Sequence, residues 1–186
     1  MQDQKHDKST KLLWLDLEMT GLNPETDRIL EVAAIITDFN FNEFARYQSF
    51  VYQTPEVMAT MNAENLSMHT ASGLVERIKV APNEQHVVNE LEALVQQYFN
   101  GEPAILAGNS IHQDRRFIRH WWQPVEQLLH YRMLDVSSYK IIMQNKYNIR
   151  YPKSESHQAL EDILESIAEL RYYLEGAGAQ TTDQQV

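Results

Sequence analysis

Apolar and polar positions along the chain fall into two regimes. From Leu12 to Tyr52 the apolar residues come in short runs broken by turn-forming residues. LLWLDLEM, closed by Thr20-Gly21, predicts a buried strand, ILEVAAIIT (29–37) a second and YQSFVY (47–52) a third. Asn23-Pro24 and Asp38-Phe39-Asn40 mark turns between them, so the three strands read as an antiparallel meander. Beyond Pro82-Asn83 the period becomes helical: Val87, Val88, Leu91, Leu94, Val95 and Tyr98 form a stripe that Asn100-Gly101 ends. Ala104 to Ala107 predicts a strand feeding, through Gly108-Asn109-Ser110, a helix with Phe117, Ile118 and Trp121 on its buried face. Tyr131 to Asp135 predicts a last strand, and Ser137 is a candidate N-cap for a helix carrying Tyr139, Ile142 and Met143. Leu160, Ile163, Leu164, Ile167, Leu170 and Leu174 predict an amphipathic final helix. Strands first, then helices alternating with strands, imply an α/β domain with a mixed sheet and helices packed against it.

One feature breaks the pattern. Asp16 and Glu18 lie inside the first strand, two residues apart. Side chains at i and i+2 share a face, roughly 6.5–7 Å apart along a strand. Two like charges on an apolar strand repel each other and lose hydration. A bound divalent cation compensates for that cost, and Mg²⁺ prefers oxygen ligands while keeping waters that phosphate can replace.

Three more residues stand out: Asp114 just after the Gly108-Asn109-Ser110 turn, Asp162 beside Ile163 in the final stripe, and His157 five residues earlier. Each alone has a plain structural reading. Asp114 suits a helix N-terminus, Asp162 a solvated face and His157 the start of a helix. Added to the strand pair, the four carboxylates carry a charge that two Mg²⁺ ions would balance, an arrangement known for phosphodiester cleavage.

The 186 residues fit one domain, expected over 11–175, with polar tails at 1–10 and 176–186. Without cysteine, disulfides and thiolate metal sites are excluded. A net charge of −10 argues against gripping long nucleic acid, whose affinity comes mainly from Lys and Arg on phosphates. The N-terminus lacks a signal-peptide core, and no apolar run approaches the ~20 residues that span a bilayer, so a cytoplasmic protein without a membrane partner is expected.

D-x-E in the first strand, Asp in GNSIHQDRRF and H-x4-D from His157 to Asp162 form the pattern of the DEDDh 3′–5′ exonucleases. WLDLEMTGLNP, HTASGL, HYRMLDVSS and SHQALEDILESIAELRYY, with GNSIHQDRRF, resemble the oligoribonucleases more narrowly, from about Leu12 to Leu174. The resemblance implies an RNase H-like fold with a mixed five-stranded sheet. It implies that Asp16, Glu18, Asp114 and Asp162 hold two Mg²⁺ or Mn²⁺ ions, with His157 as the general base that activates water. The implied substrates are short RNA oligomers, dinucleotides above all, and the implied assembly is a homodimer. Leu22 would wedge against the bases and His69 would lie near the 3′ nucleotide. Ser110, Arg132 and Ser137 would cap a 5′ phosphate, and Tyr131 would reach the partner subunit's site. One position departs: Glu64 stands where many relatives carry a tryptophan, and a carboxylate cannot stack on a base. A DNA-directed exonuclease of the same superfamily and a silent binding module are the competing readings; the complete Asp/Glu/Asp/His/Asp set argues against the second.

Overall fold

The computed structural model describes residues 10–152 and 158–183, with side chains up to 176. Strands β1 (Lys11–Met19), β2 (Ile29–Asp38) and β3 (Glu43–Phe50) form the expected meander. Three short helices follow, α1 (Pro55–Met58), α2 (Ala63–Ala71) and α3 (Leu74–Ile78), then the long α4 (Glu84–Phe99). Strand β4 (Ala104–Gly108) leads into α5 (His112–Trp121) and α6 (Gln123–Glu126). Strand β5 (Leu129–Asp135) leads into α7 (Val136–Tyr147), and α8 (Ala159–Asp183) closes the domain.

The five strands make one sheet in the order β3-β2-β1-β4-β5. The first three pair antiparallel; β4 joins β1, and β5 joins β4, in parallel. This is the mixed five-stranded sheet the sequence predicts. Both of its faces are covered, which is why β1 and β2 read as nearly unbroken apolar runs. Leu13, Leu15, Leu17, Val32, Ala34 and Ile36 belong to one core with Val87, Leu91 and Val95 of α4 and Phe117 and Ile118 of α5. Leu12, Trp14, Ala33 and Ile35 belong to the other, with Ile163, Ile167 and Leu170 of α8. Trp14 Nε1 donates to Thr37 Oγ1 at 2.9 Å, so the largest buried ring leaves no unpaired donor.

The structure departs from expectation in four places. β3 starts at Glu43 and ends at Phe50, shifted towards the N-terminus from 47–52. Helices α1 to α3 arise where no apolar period is visible; Thr54 and Asn62 cap the first two by accepting from backbone N–H groups. The cap of α7 is Asp135, whose carboxylate accepts from Ser137 N–H, so Ser137 lies inside the first turn and its hydroxyl is used elsewhere. Helix α8 continues through Asp183, into a stretch expected to be a loose tail. Its alanine and glutamine favour helix, although its composition is polar.

Candidate active site

β1 lies at the centre of the sheet, and its C-terminal half carries Asp16 and Glu18 towards the α8 face. Register places Asp16 opposite Ala33 and Glu18 opposite Glu31. Directly opposed residues of an antiparallel pair share a face, so Glu31 joins the acidic pair. From α8, Asp162 reaches the same place: Asp16, Glu18 and Asp162 each offer an oxygen within 4.8 Å of the others, the only such cluster among the described residues. Asp114, in the first turn of α5, arrives from the opposite side. Its Oδ1 accepts from Leu17 N–H at 3.0 Å, between the two acidic residues of β1, and it is only 6% exposed. Gly108 lets the end of β4 lie close against β1, since a Cβ there would meet Leu15 O at 2.8 Å.

The electrostatics follow from the geometry. Burial, then Asp114, Glu18, Asp162 and Glu31, pushes the Asp16 carboxyl far above its ordinary range. Burial, then Glu31, Asp162 and Asp114, lifts Glu18 to about 8. Burial lifts Asp114 to about 7, although the Leu17 amide opposes it. Glu31 is raised by burial, while a 2.7 Å hydrogen bond from Gln48 Nε2 and the charge of Arg77 hold it down. Without a cation, Asp114 and Glu18 take up protons near neutrality. Oxygen donors at this spacing and charge suit hard divalent cations, so the donor set fits a metal centre.

The surrounding loops hold the other predicted residues. Asp27 closes the loop after β1, accepting from Thr20 Oγ1 and Asn23 N–H at 2.9 Å each. Gly21 is needed beneath it, because a Cβ would sit 2.5 Å from Asp27 Oδ2. The loop leaves Leu22 68% exposed, which removes core packing as its role. Buried His69, in the last turn of α2, places Nε2 3.0 Å from Met19 O and Nδ1 3.9 Å from Glu18 Oε2. Asn65 Nδ2 donates to Thr20 O and ties α2 to that loop, with Glu64 exposed in the first turn of the helix.

Ser110 and Ser137 meet at the mouth of β4, their hydroxyls 3.1 Å apart. Ser110 N–H donates to both Asp135 Oδ1 and Ser137 Oγ at 3.0 Å. Arg132 and Tyr131 are exposed on β5 at the sheet edge, Tyr131 at 72%. His157 lies outside the described residues.

Sequence reasoning missed Glu31, which is 3% exposed. The visible signal was a lone carboxylate in the apolar run ILEVAAIIT; only register makes it face Glu18.

Comparison with known proteins gives the chain's family. The family pattern described as Exonuclease matches residues 13–170. A protein named oligoribonuclease from Neisseria meningitidis serogroup B is 42% identical over 181 residues, 94% of each chain. One of the same name from Yersinia enterocolitica is 41% identical over 175 residues, 91% of this chain and 96% of its own. In three dimensions the zinc-bound E. coli exonuclease I complex with single-stranded DNA matches 94% of this chain with a TM-score of 0.68 at 16% identity, which shows the shared fold. This chain spans 42% of that longer one. The order of elements, the converging carboxylates and these relatives lead to one assignment: the chain belongs to the Exonuclease family, among its oligoribonucleases, and is a metal-dependent hydrolase.

Proposed function

We propose that the chain is a 3′–5′ exoribonuclease that hydrolyses short oligoribonucleotides, dinucleotides above all, to nucleoside 5′-monophosphates at the end of RNA degradation. The convergence of Asp16, Glu18 and Asp162 within 4.8 Å carries the reading, in a chain whose relatives bear the name oligoribonuclease. Asp16, Glu18, Asp114 and Asp162 hold two Mg²⁺ or Mn²⁺ ions. When bound, these cations neutralise the carboxylates and polarise the phosphodiester.

The side chains do the rest. His157 accepts a proton from the attacking water; imidazole, with an ordinary pKa near 6.5, is available as a base at pH 7. The water oxygen bonds to phosphorus, and the bond to the preceding residue's 3′ oxygen breaks. That oxygen takes a proton from solvent and leaves as a hydroxyl, while protonated His157 returns its proton to solvent. The last residue departs as a 5′-monophosphate. His69, beside Glu18, lies near the 3′ nucleotide, and exposed Leu22 presses on a base. Ser110, Ser137 and Arg132 supply hydroxyl donors and a cation for a terminal 5′ phosphate. A pocket closed at that end rejects longer strands, in keeping with a chain of net charge −10.

The active form is a homodimer. Its supports are the edge strand β5 with exposed Tyr131 and Met133, and α7 with exposed Tyr139, Ile141 and Ile142. Tyr131 serves the partner subunit's site. Among the described residues no helix is long and apolar enough to cross a membrane, and the cytoplasm is the proposed compartment. A time course on 5′-labelled RNAs of two to about seven residues, beside single-stranded DNA and with or without Mg²⁺, tests the proposal. Fast, metal-dependent loss of the dinucleotide is expected; preference for long RNA or DNA would overturn it.

A further inference from the structure

Between the serine pair and the acidic cluster lies a polar network anchored on one side chain. Asn109 Nδ2 donates to Ser166 Oγ at 2.9 Å and to Glu169 Oε2 at 3.0 Å. Its Oδ1 accepts from Ser137 Oγ at 3.3 Å. Ser166 Oγ in turn donates to the carbonyl of Asp162 at 2.8 Å. Glu169 is 0% exposed; its other oxygen accepts from Tyr173 at 2.8 Å and lies 3.5 Å from Lys140 Nζ. One amide therefore joins the end of β4, the first turn of α7 and the turns of α8 that follow Asp162, with Ser166 reaching back to the Asp162 carbonyl. The next residue, Ser110, has a φ of 49°, a left-handed conformation that is costly outside glycine and is kept where surroundings enforce it. Asn109 on one side, and Asp135 with Ser137 on the other, enforce it.

We infer that Asn109 is a positioning residue: it fixes the Ser110–Ser137 pair at a set distance from Asp162, so that a 5′ phosphate in the first fixes which phosphodiester lies at the second. This rests on the reading of the serine pair as the seat of that phosphate. A half-buried side-chain amide is suited to the task because it donates and accepts at once, so both connections are set by one rigid plane. Glu169 orients that plane, since a carboxylate only accepts and forces Nδ2 towards α8.

The test compares KM for a 5′-phosphorylated dinucleotide, pApA, with KM for the 5′-hydroxyl dinucleotide ApA. In the parent protein pApA has the lower KM. Losing one hydrogen bond of this kind corresponds to about fivefold, so Asn109→Leu is expected to shrink the KM ratio by about fivefold or more. Thermal melting shows whether the variant is folded. Asn109→Asp sets two carboxylates against each other and is expected to shrink the ratio as well. Adding Glu169→Gln to Asn109→Asp restores a donor–acceptor pair with its direction reversed, and recovery of the ratio is expected. Ser137→Ala serves as the reference for the pocket. If Ser137→Ala shrinks the ratio while folded Asn109 variants keep it, the positioning role is overturned. If neither changes the ratio, the pocket reading falls and the inference with it.

Discussion

One face of β1 has two halves. Leu12 and Trp14 are buried against Ile163, Ile167 and Leu170 of α8. Asp16 and Glu18, two and four residues on, meet Asp162 of the same helix and Glu31 of the neighbouring strand. The same two elements thus pack an apolar seam at one end and crowd carboxylates at the other. The seam stabilises the fold through area removed from water. The acidic end costs stability, because burial and like charge raise Asp16, Glu18 and Asp114 together. On the proposed function, stability and activity are divided along a single strand, and the apolar half offsets the cost of the acidic half.

The contrast is broken most sharply by substitutions that separate the two properties. Asp162→Asn should lower kcat by about a thousandfold, the order of a lost metal ligand worth several kcal/mol, while the metal-free protein melts at a higher temperature because one repelling charge is gone. Trp14→Ala should do the opposite: a loss of about 3–5 kcal/mol in urea unfolding, from lost packing and a cavity, with the folded fraction still binding Mn²⁺. Urea titrations and single-turnover rates, run in parallel, read both.

The acidic half should also govern how stability depends on pH. A carboxylate whose pKa is higher in the folded chain than in the unfolded one holds an extra proton when folded across the interval between the two values. Stability of the metal-free protein should therefore fall as pH climbs from the ordinary carboxylate range towards the values of about 7 for Asp114 and about 8 for Glu18. Saturating Mg²⁺ should raise the melting temperature more at the alkaline end than at the acid end. A smaller change sharpens the comparison at its edge. Glu31→Gln removes a like charge directly across the sheet and should stabilise the metal-free chain by about 1 kcal/mol or less, flattening part of the pH slope.

Much of this was legible in the chain. The acidic pair in β1 breaks an apolar run, so local pattern alone exposes it; Asp162, beside the stripe of a well-marked helix, gained weight only from that pair and from the family resemblance. Asp114 needed the Gly-Asn-Ser turn as a marker. The antiparallel meander and the mixed sheet with helices packed against it followed from the succession of periods. What local pattern does not reveal is pairing across strands. Glu31 matters because register sets it against Glu18, and no window of sequence carries register. Ser137 looked like a cap because serine before a helical stripe commonly is one; Asp135, two residues earlier, takes that role and releases the hydroxyl towards Ser110 and Asn109. Helices α1 to α3 depend on caps and tertiary support more than on periodicity. Asn109 was read only as part of a turn, since its partners lie 28, 57 and 60 residues away.

The central claim is that bound divalent cations balance the carboxylates gathered at the end of β1. Calorimetric titration of metal-stripped protein with Mn²⁺ near pH 7, repeated in two buffers of different ionisation enthalpy, tests it directly. The predicted result is saturable binding that releases protons, reduced sharply by Asp16→Asn or Asp162→Asn. Binding without proton release, or binding that both variants keep in full, would contradict it.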